Sequence, residues 1–247
     1  MKLGIVSTFS DQGYQDYANH FVSSLNKNLD NQVTVFLYID NDKKLFKRNP
    51  NINIINLEKT VPDLTEFKNR NKNKTVESFV YDGVRFSHKS YAIWHAAMHS
   101  GVDLLIWLDA DTELLKHVSA EYLKTFLPND YFTSYLGRKG YSETGFIAFD
   151  LRNPHSKEFF DIFKNYYDSD RIYTLPAFTD CHVFDATRTE LETSGKIRGY
   201  NLTPVEEKNP FNETFKGYMI HLKGSRKDNR EKLIRKNREK LIRKNKK

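Results

Sequence analysis

Apolar and polar residues alternate along the first part of this chain in a way that predicts its elements one after another. Leu3 to Thr8 is a short, mostly apolar run and predicts a buried first strand, followed by a polar loop through Ser10, Asp11, Gln12 and Gly13. Tyr17, Ala18, Phe21, Val22 and Leu25 then recur near helical spacing, which predicts a helix over Tyr14 to Leu29. Gln32 to Ile39 is β-branched and aromatic, and Asn51 to Leu57 alternates around Ile52, Ile54 and Leu57, so both read as strands. Strand, helix, strand and strand with short connections point to an α/β fold, a doubly wound and mostly parallel sheet.

Lys68 to Lys74 is too polar for a core and reads as a loop. Phe86 to His99 reads as a helix, and Leu104 to Leu108 is a fully apolar run that predicts a buried fourth strand, ending in Asp109-Ala110-Asp111. The second half is more mixed. It predicts a helix near Ala120 to Phe126, strands near Tyr131 to Ser134 and Phe146 to Phe149, a helix from Ser156 to Tyr167, and a strand at Gly217 to Leu222 that closes the body.

Composition narrows the class. An apolar share of 38% with 14% aromatics over 247 residues fills a real core and excludes a disordered or fibrous body. Leu104 to Leu108, the longest purely apolar run, falls far short of the roughly 20 residues a membrane-spanning helix needs. The first residues turn polar too early for the apolar section of a secretory signal, and residue 1 reads as the start of the fold. Cys181 is the single cysteine, so a reducing, cytoplasmic setting is expected, and the Asn-x-Ser/Thr matches at Asn73, Asn201 and Asn212 read as chance.

The net charge of +7 invites a nucleic-acid reading, but residues 225–247 alone carry +9 and leave the first 224 residues at −2. No nucleic-acid partner is expected for the body. The tail repeats eight residues, Asn229 to Lys236 and again Asn237 to Lys244. Leu233, Ile234, Leu241 and Ile242 would give a basic helix one apolar stripe, as in helices that lie on an anionic membrane face. A solvated, partly helical tail is the alternative.

Asp109 and Asp111 carry the chemistry. Carboxylates at i and i+2 of an extended chain point to the same side with backbones about 6 to 7 Å apart, close enough to share one divalent cation. In open α/β sheets ligands gather outside the carboxyl ends of strands, where these acids sit. Oxygen ligands favour Mg²⁺ or Mn²⁺, which complete their shell with water and substrate phosphate. The alternative is a helix cap, with Asp111 or Thr112 starting the next turn.

Leu105 to Thr112 resembles the metal-binding Asp-x-Asp segment of glycosyltransferases of the GT-A fold, and other stretches follow the order of the glycogenin-like and lipopolysaccharide galactosyltransferase group. Arg85 to Lys89 resembles the helix that gives the donor a basic contact, with Lys89 the first candidate and Arg85 the second. Tyr141 to Phe149 is similar to the segment beside the donor sugar, where Glu143 stands in place of the usual amide and Gly145 suits a close approach. Phe178 to Phe184 resembles the second acidic motif, whose aspartate, here Asp180, faces the donor sugar from the start of a helix. Cys181 replaces the amide that often follows; a helix N-cap is the alternative role for Asp180.

His221-Leu222-Lys223-Gly224-Ser225-Arg226-Lys227 is similar to the closing His-x-x-Gly-x-x-Lys motif, although the Pro-Trp that often follows is absent. The resemblance implies a single GT-A catalytic domain over residues 1–224, divided into a nucleotide-binding half (1–112) and an acceptor half (113–224), with a basic tail after it. It implies a metal-dependent transfer, more in keeping with retention, of a hexose from a nucleotide sugar, UDP-linked, to a glycan or other hydroxyl. Asp109, Asp111 and His221 would hold Mn²⁺ or Mg²⁺; Ala110, Lys89, Gly224 and Lys227 would contact the diphosphate. Base and ribose would lie near Ser7, Thr8, Phe9, Tyr14 and Asp40, and Asp180 and Glu143 would act at the sugars. Tyr135 and Tyr141 are candidates to stack on sugar faces. A non-catalytic glycan- or partner-binding module on the same fold is the competing reading.

Overall fold

A computed structural model of the chain describes residues 1–40, 50–74, 78–203, 209–224 and 229–235. Lys227 and the second copy of the tail repeat lie outside the described residues. The strands are β1 (Leu3–Phe9), β2 (Val33–Ile39), β3 (Ile52–Asn56), β4 (Leu104–Leu108), β5 (Thr112–Leu114), β6 (Thr133–Leu136), β7 (Glu143–Asp150), β8 (Gly199–Asn201) and β9 (Met219–His221). The α-helices are α1 (Asp11–Gly13), α2 (Asn19–Asn28), α3 (Leu57–Thr60), α4 (Pro62–Asn71), α5 (Gly83–His99), α6 (Ala120–Lys124), α7 (Ser156–Asp168), α8 (Asp180–Thr193) and α9 (Pro210–Thr214).

Seven strands form one sheet in the order β3-β2-β1-β4-β7-β6-β8. β3, β2, β1 and β4 run parallel, β7 runs antiparallel to both β4 and β6, and β8 is parallel to β6. The expected doubly wound, mostly parallel sheet is therefore present. Its central strands are largely apolar because both faces are covered: along β4, Leu105 and Trp107 join the core under α5, α7 and α8, while Leu104, Ile106 and Leu108 join the core under α2.

The chain steps outward from β1 to β2 and β3, then returns to place β4 on the other side of β1. That reversal opens a crevice at the carboxyl ends of β1 and β4, the usual ligand position in such sheets.

One expectation is corrected and one alternative is removed. The polar run Lys68 to Lys74 is not a loop throughout, since α4 continues to Asn71. Leu64, Phe67 and Asn71 supply its buried face, and Arg70 donates to the carbonyls of Tyr167 and Asp168 at 3.3 and 2.8 Å, so long-range partners sustain a turn that looks too polar alone. The strand expected at 217–222 is present as β9, which pairs antiparallel with β5 in a separate two-stranded ribbon. Asp111 and Thr112 start no helix, because Thr112 begins β5.

The first helical region also differs in detail. It starts at Asp11, with Ser10 Oγ accepting from Gly13 N, and a π-helical stretch, Tyr14–Ala18, joins α1 to α2. A π-turn adds a residue per turn and re-aims the side chains it contains. Here Tyr17 faces the crevice and Tyr14 packs on Phe9 with ring centroids 6.0 Å apart.

Candidate functional site

β4 ends where Asp109 N donates to Gly145 O at 3.0 Å, and a tight turn follows, closed by Thr112 N on Asp109 O at 3.0 Å. β5 leaves from that turn and pairs with β9 in the register Thr112 to His221, extended by Leu222 N on Asp111 O at 3.0 Å. This pairing carries His221 to the acids from 110 residues away in sequence. Its Nε2 stands 2.7 Å from Asp111 Oδ1 and 3.4 Å from Asp109 Oδ2, with the imidazole only 2% exposed. Donor atoms of all three residues lie within 4.8 Å of one another.

Two neighbours fix the imidazole. A Cβ on Gly145 would come within 2.6 Å of the His221 ring, so glycine is required there to admit the histidine itself rather than an external ligand. Asn212 on α9 accepts from His221 N at 2.7 Å through Oδ1 and donates to His221 O at 3.3 Å, which clamps the end of β9.

Behind the acids lies Lys89, from α5. Its ammonium reaches Asp109 Oδ1 at 3.0 Å, Asp180 Oδ2 at 2.8 Å and Thr144 O at 2.6 Å, and stands 4.8 Å from the Trp107 ring centroid. Burial disfavours its charge, but Asp109 and Asp180 outweigh that, and its proton is held more tightly than in a free lysine. Trp107 Nε1 donates to the same Asp109 oxygen at 2.7 Å. Asp180 is the first residue of α8 rather than its cap, and it also accepts from Thr144 Oγ1 at 2.5 Å. One lysine thus ties the first acidic motif to the second.

Glu143 occupies a different place from the one its sequence position suggests. Its carboxylate is buried behind the crevice, paired with Arg138 Nη1 at 3.1 Å and Lys223 Nζ, and accepts from Gly145 N at 3.1 Å. Burial raises its pKa, yet Lys223, His221 and Arg138 overcome this and hold it down at about 2. A carboxylate so held is a poor proton acceptor; its visible work is to fix the Gly145 turn beside His221.

The crevice holds about 1200 Å³ and is bounded by Thr8, Phe9, Asp40 and Lys68 at one end and by Arg138, Tyr141, Thr179 and His182 at the other. Lys89, Asp109, Ala110, Asp111, Asp180 and Gly224 line its middle. Of the residues singled out from sequence, Ser7, Tyr14, Glu143 and the buried His221 stay out of the lining, and Tyr135 lies under the Arg188 guanidinium, 4.3 Å from its ring centroid. Tyr17, Lys223, Trp107 and Thr144 were missed. Only the first carried any signal, an aromatic on the expected helix, because the others act through contacts that pairing of distant strands creates.

A second acid and imidazole group, Asp40, Glu58 and His88, sits at the Thr8 end. Burial raises the Asp40 pKa and lowers that of His88, and Lys68 is ion-paired with Glu58.

Two carboxylates and one buried imidazole, aimed at a common point beside a water-accessible crevice, fit a divalent ion. The nitrogen in the set suits Mn²⁺ better than Mg²⁺, which prefers oxygen and retained water.

No protein-family model matches the chain, and no curated protein does. Among solved structures it is similar to the ligand-free form of the bifunctional glycosyltransferase WbbM, with a TM-score of 0.53 at 14% identity, over 90% of this chain and 46% of that one. The chain thus spans about half the length of that structure. The likeness is one of fold, an α/β sheet of the GT-A-like kind.

Proposed function

We propose that this chain is a glycosyltransferase that moves a hexose from a nucleoside diphosphate donor, UDP-linked, to a hydroxyl of a glycan. The observation that carries the reading is the convergence of Asp109, Asp111 and His221 at the switch point of a GT-A-like sheet, beside a crevice wide enough for two substrates.

Asp109, Asp111 and His221 would hold Mn²⁺ or Mg²⁺, which when bound neutralises charge on the leaving diphosphate. Thr8, Phe9, Tyr17 and Asp40 form the end that suits base and ribose. Lys223 and Gly224, which follow His221 at the crevice wall, sit where they would contact the diphosphate. Lys89 keeps Asp109 and Asp180 at fixed separation, so the acids are oriented before substrate arrives rather than by it. In the transfer the acceptor oxygen bonds to the anomeric carbon as the bond from that carbon to the diphosphate breaks; the electron pair leaves on the diphosphate, whose freed oxygen takes the acceptor's proton.

Two observations support a retaining course, in which no strong enzyme base takes the acceptor proton. Glu143 lies behind the wall, and Asp180 is engaged by Lys89 and Thr144. The test is a panel of UDP-sugars and their hydrolysis by the full chain with and without Mn²⁺, followed by NMR of the product anomer. Mn²⁺-dependent release of UDP and a retained anomer are expected; no release with any nucleotide sugar would leave a binding module on this fold. Inversion would remove the retaining assignment alone.

A further inference from the structure

Glu113 is a buried carboxylate that the cation site does not use. It lies on β5 opposite Ile220 of β9 and is only 5% exposed. Its partner comes from the basic tail, 117 residues further along the chain: Arg230 Nη2 donates to Glu113 Oε2 at 2.7 Å, and Arg230 Nε donates to Oε1. Two parallel donors of this kind are the geometry in which a guanidinium holds a carboxylate most firmly. Residues 230–235 are helical, and Leu233 and Ile234 within them are half-buried, so the first copy of the tail repeat is folded and joined to the body at this pair.

Residues at i and i+2 of an extended strand share a side. Asp111 and Glu113 do so here, lining one small cavity of about 50 Å³ together with Arg230, Asp16 and His20. Asp111 and Tyr17 also line the crevice, and so stand between the two spaces. Yet the donor atoms that gather within 4.8 Å of one another belong to Asp109, Asp111 and His221, without Glu113. A third carboxylate, one step along the strand from Asp111, is engaged by Arg230 instead.

We infer that Arg230 is a positioning residue of the cation site: by clasping Glu113 it keeps a third carboxylate out of the donor set and leaves charge and open positions for the diphosphate. This rests on the cation site proposed above and adds a residue of the tail to it. Two carboxylates already match the charge of a divalent ion, and Lys89, which touches Asp109, is balanced by Asp180. Adding an unclasped Glu113 would turn the surroundings net negative and oppose a diphosphate, whereas hard cations that serve phosphate chemistry take one or two carboxylates and fill the shell with water and phosphate oxygen. The sign separates this role from simple bracing. Loss of a brace loosens the site and weakens cation and diphosphate binding together; loss of the clasp strengthens the first and weakens the second.

The experiment is a pair of titrations on the full chain, Mn²⁺ alone by the EPR signal of the free ion and UDP in saturating Mn²⁺ by calorimetry. Arg230→Met should tighten Mn²⁺ binding about tenfold and weaken UDP binding about tenfold, while Glu113→Gln combined with Arg230→Met should return both to within about threefold of the parent protein. Arg238→Met, the same residue of the second repeat copy, should move neither. Weakening of both affinities by Arg230→Met would reduce the pair to a structural brace and overturn the inference, and so would no change in either. An equal effect of Arg238→Met overturns it in favour of the charge of the tail at large. Altered affinities that persist in the double variant overturn it as well, because Glu113 would then not be the agent. If the parent protein binds no Mn²⁺, the cation site itself fails and this inference with it; the other failures leave that site standing.

Discussion

The two groups of acid and imidazole in the crevice use nearly the same residue types and differ in how they are held. Asp109, Asp111 and His221 sit on the ends of β4, the turn and β9, where paired backbone fixes each Cα, and a buried lysine, an indole N–H and a glycine fix the side chains. Asp40, Glu58 and His88 come from the end of β2 and from helices α3 and α5, and their cation, Lys68, is partly exposed and on a flexible stem. Preorganised donors lose little freedom when an ion or phosphate arrives, whereas loosely held ones must be ordered first. The comparison therefore favours the first group for the proposed ion and leaves the second as a charge-balanced wall at the end proposed for the nucleotide.

The sharpest way to break this assignment is substitution of one acid in each group. Asp111→Asn should lower Mn²⁺-dependent turnover at least about a thousandfold and erase the Mn²⁺-dependent rise in melting temperature, because an ion that binds the folded form stabilises it. Asp40→Asn should keep that Mn²⁺ response and mainly weaken UDP binding. The reverse pattern, measured by thermal shift and UDP release, would exchange the roles of the two groups.

Next in size is the difference between their lysines. Lys89→Met leaves Asp109 and Asp180 facing each other without their shared cation, and should cost about 3 to 5 kcal/mol in denaturant unfolding. Lys68→Met breaks a half-exposed pair and should cost under about 1 kcal/mol. Similar losses for both would mean that the Lys89 cluster is wetter than its burial implies.

Gly145→Ala tests how tightly His221 is seated. The added methyl meets the imidazole at 2.6 Å, so the variant should lose about 1 to 3 kcal/mol of stability and weaken Mn²⁺ binding, measured by titration of the free ion's EPR signal. Unchanged Mn²⁺ affinity would remove His221 from the donor set.

The smallest effect sharpens the pH behaviour of the second group. His88 and His95 lie seven residues apart on α5, and burial lowers both pKa values, His95 to about 4 from burial and then from His99. A histidine with a depressed folded pKa contributes stability that is complete above its unfolded value near 6.5 and is lost as pH falls toward the folded one. For His95, which accepts or donates at Tyr38 Oη over 2.7 Å, the loss between pH 6.5 and 4 should be about 1 kcal/mol once solvent screening of a half-buried ring is allowed for. His95→Gln should flatten that limb of the stability curve, and the part that persists belongs to His88 and His182, whose pKa values burial also lowers, while Asp40, with its pKa raised by burial, acts in the opposite sense. A limb unaltered by His95→Gln would assign all of it to His88 and His182.

What was legible in the sequence follows from locality. β1, β2, β4 and the core of β7 announce themselves because a strand covered on both faces is apolar at nearly every position, the edge strand β3 because its apolar residues alternate with polar ones, and α5 and α7 because one helical face must be apolar. Asp109 and Asp111 were legible for the same reason: two acids ending a buried strand contradict their surroundings. The resemblance grouped His221 and Asp180 with Asp109 and Asp111, and their distances to Asp111 and Lys89 follow from tertiary pairing. Tyr14 and Glu143 were misplaced because a π-turn and a buried ion-pair network leave no local trace, and the end of α4 from Lys68 reads as a loop because its last turn is sustained by carbonyls nearly a hundred residues away.

The sequence by itself determined the doubly wound parallel half, the position of Asp109 and Asp111 at a strand end, and the separation of a basic tail from a nearly neutral body, since each depends on the hydrophobicity and charge of neighbouring residues. Only the tertiary structure decided that β9 pairs with β5 and delivers His221, that Lys89 bridges Asp109 and Asp180, and that Glu143 supports the wall instead of facing the crevice. Those outcomes depend on which distant segments meet, and a short segment such as Met219–His221 does not encode its partner until the sheet beside it exists.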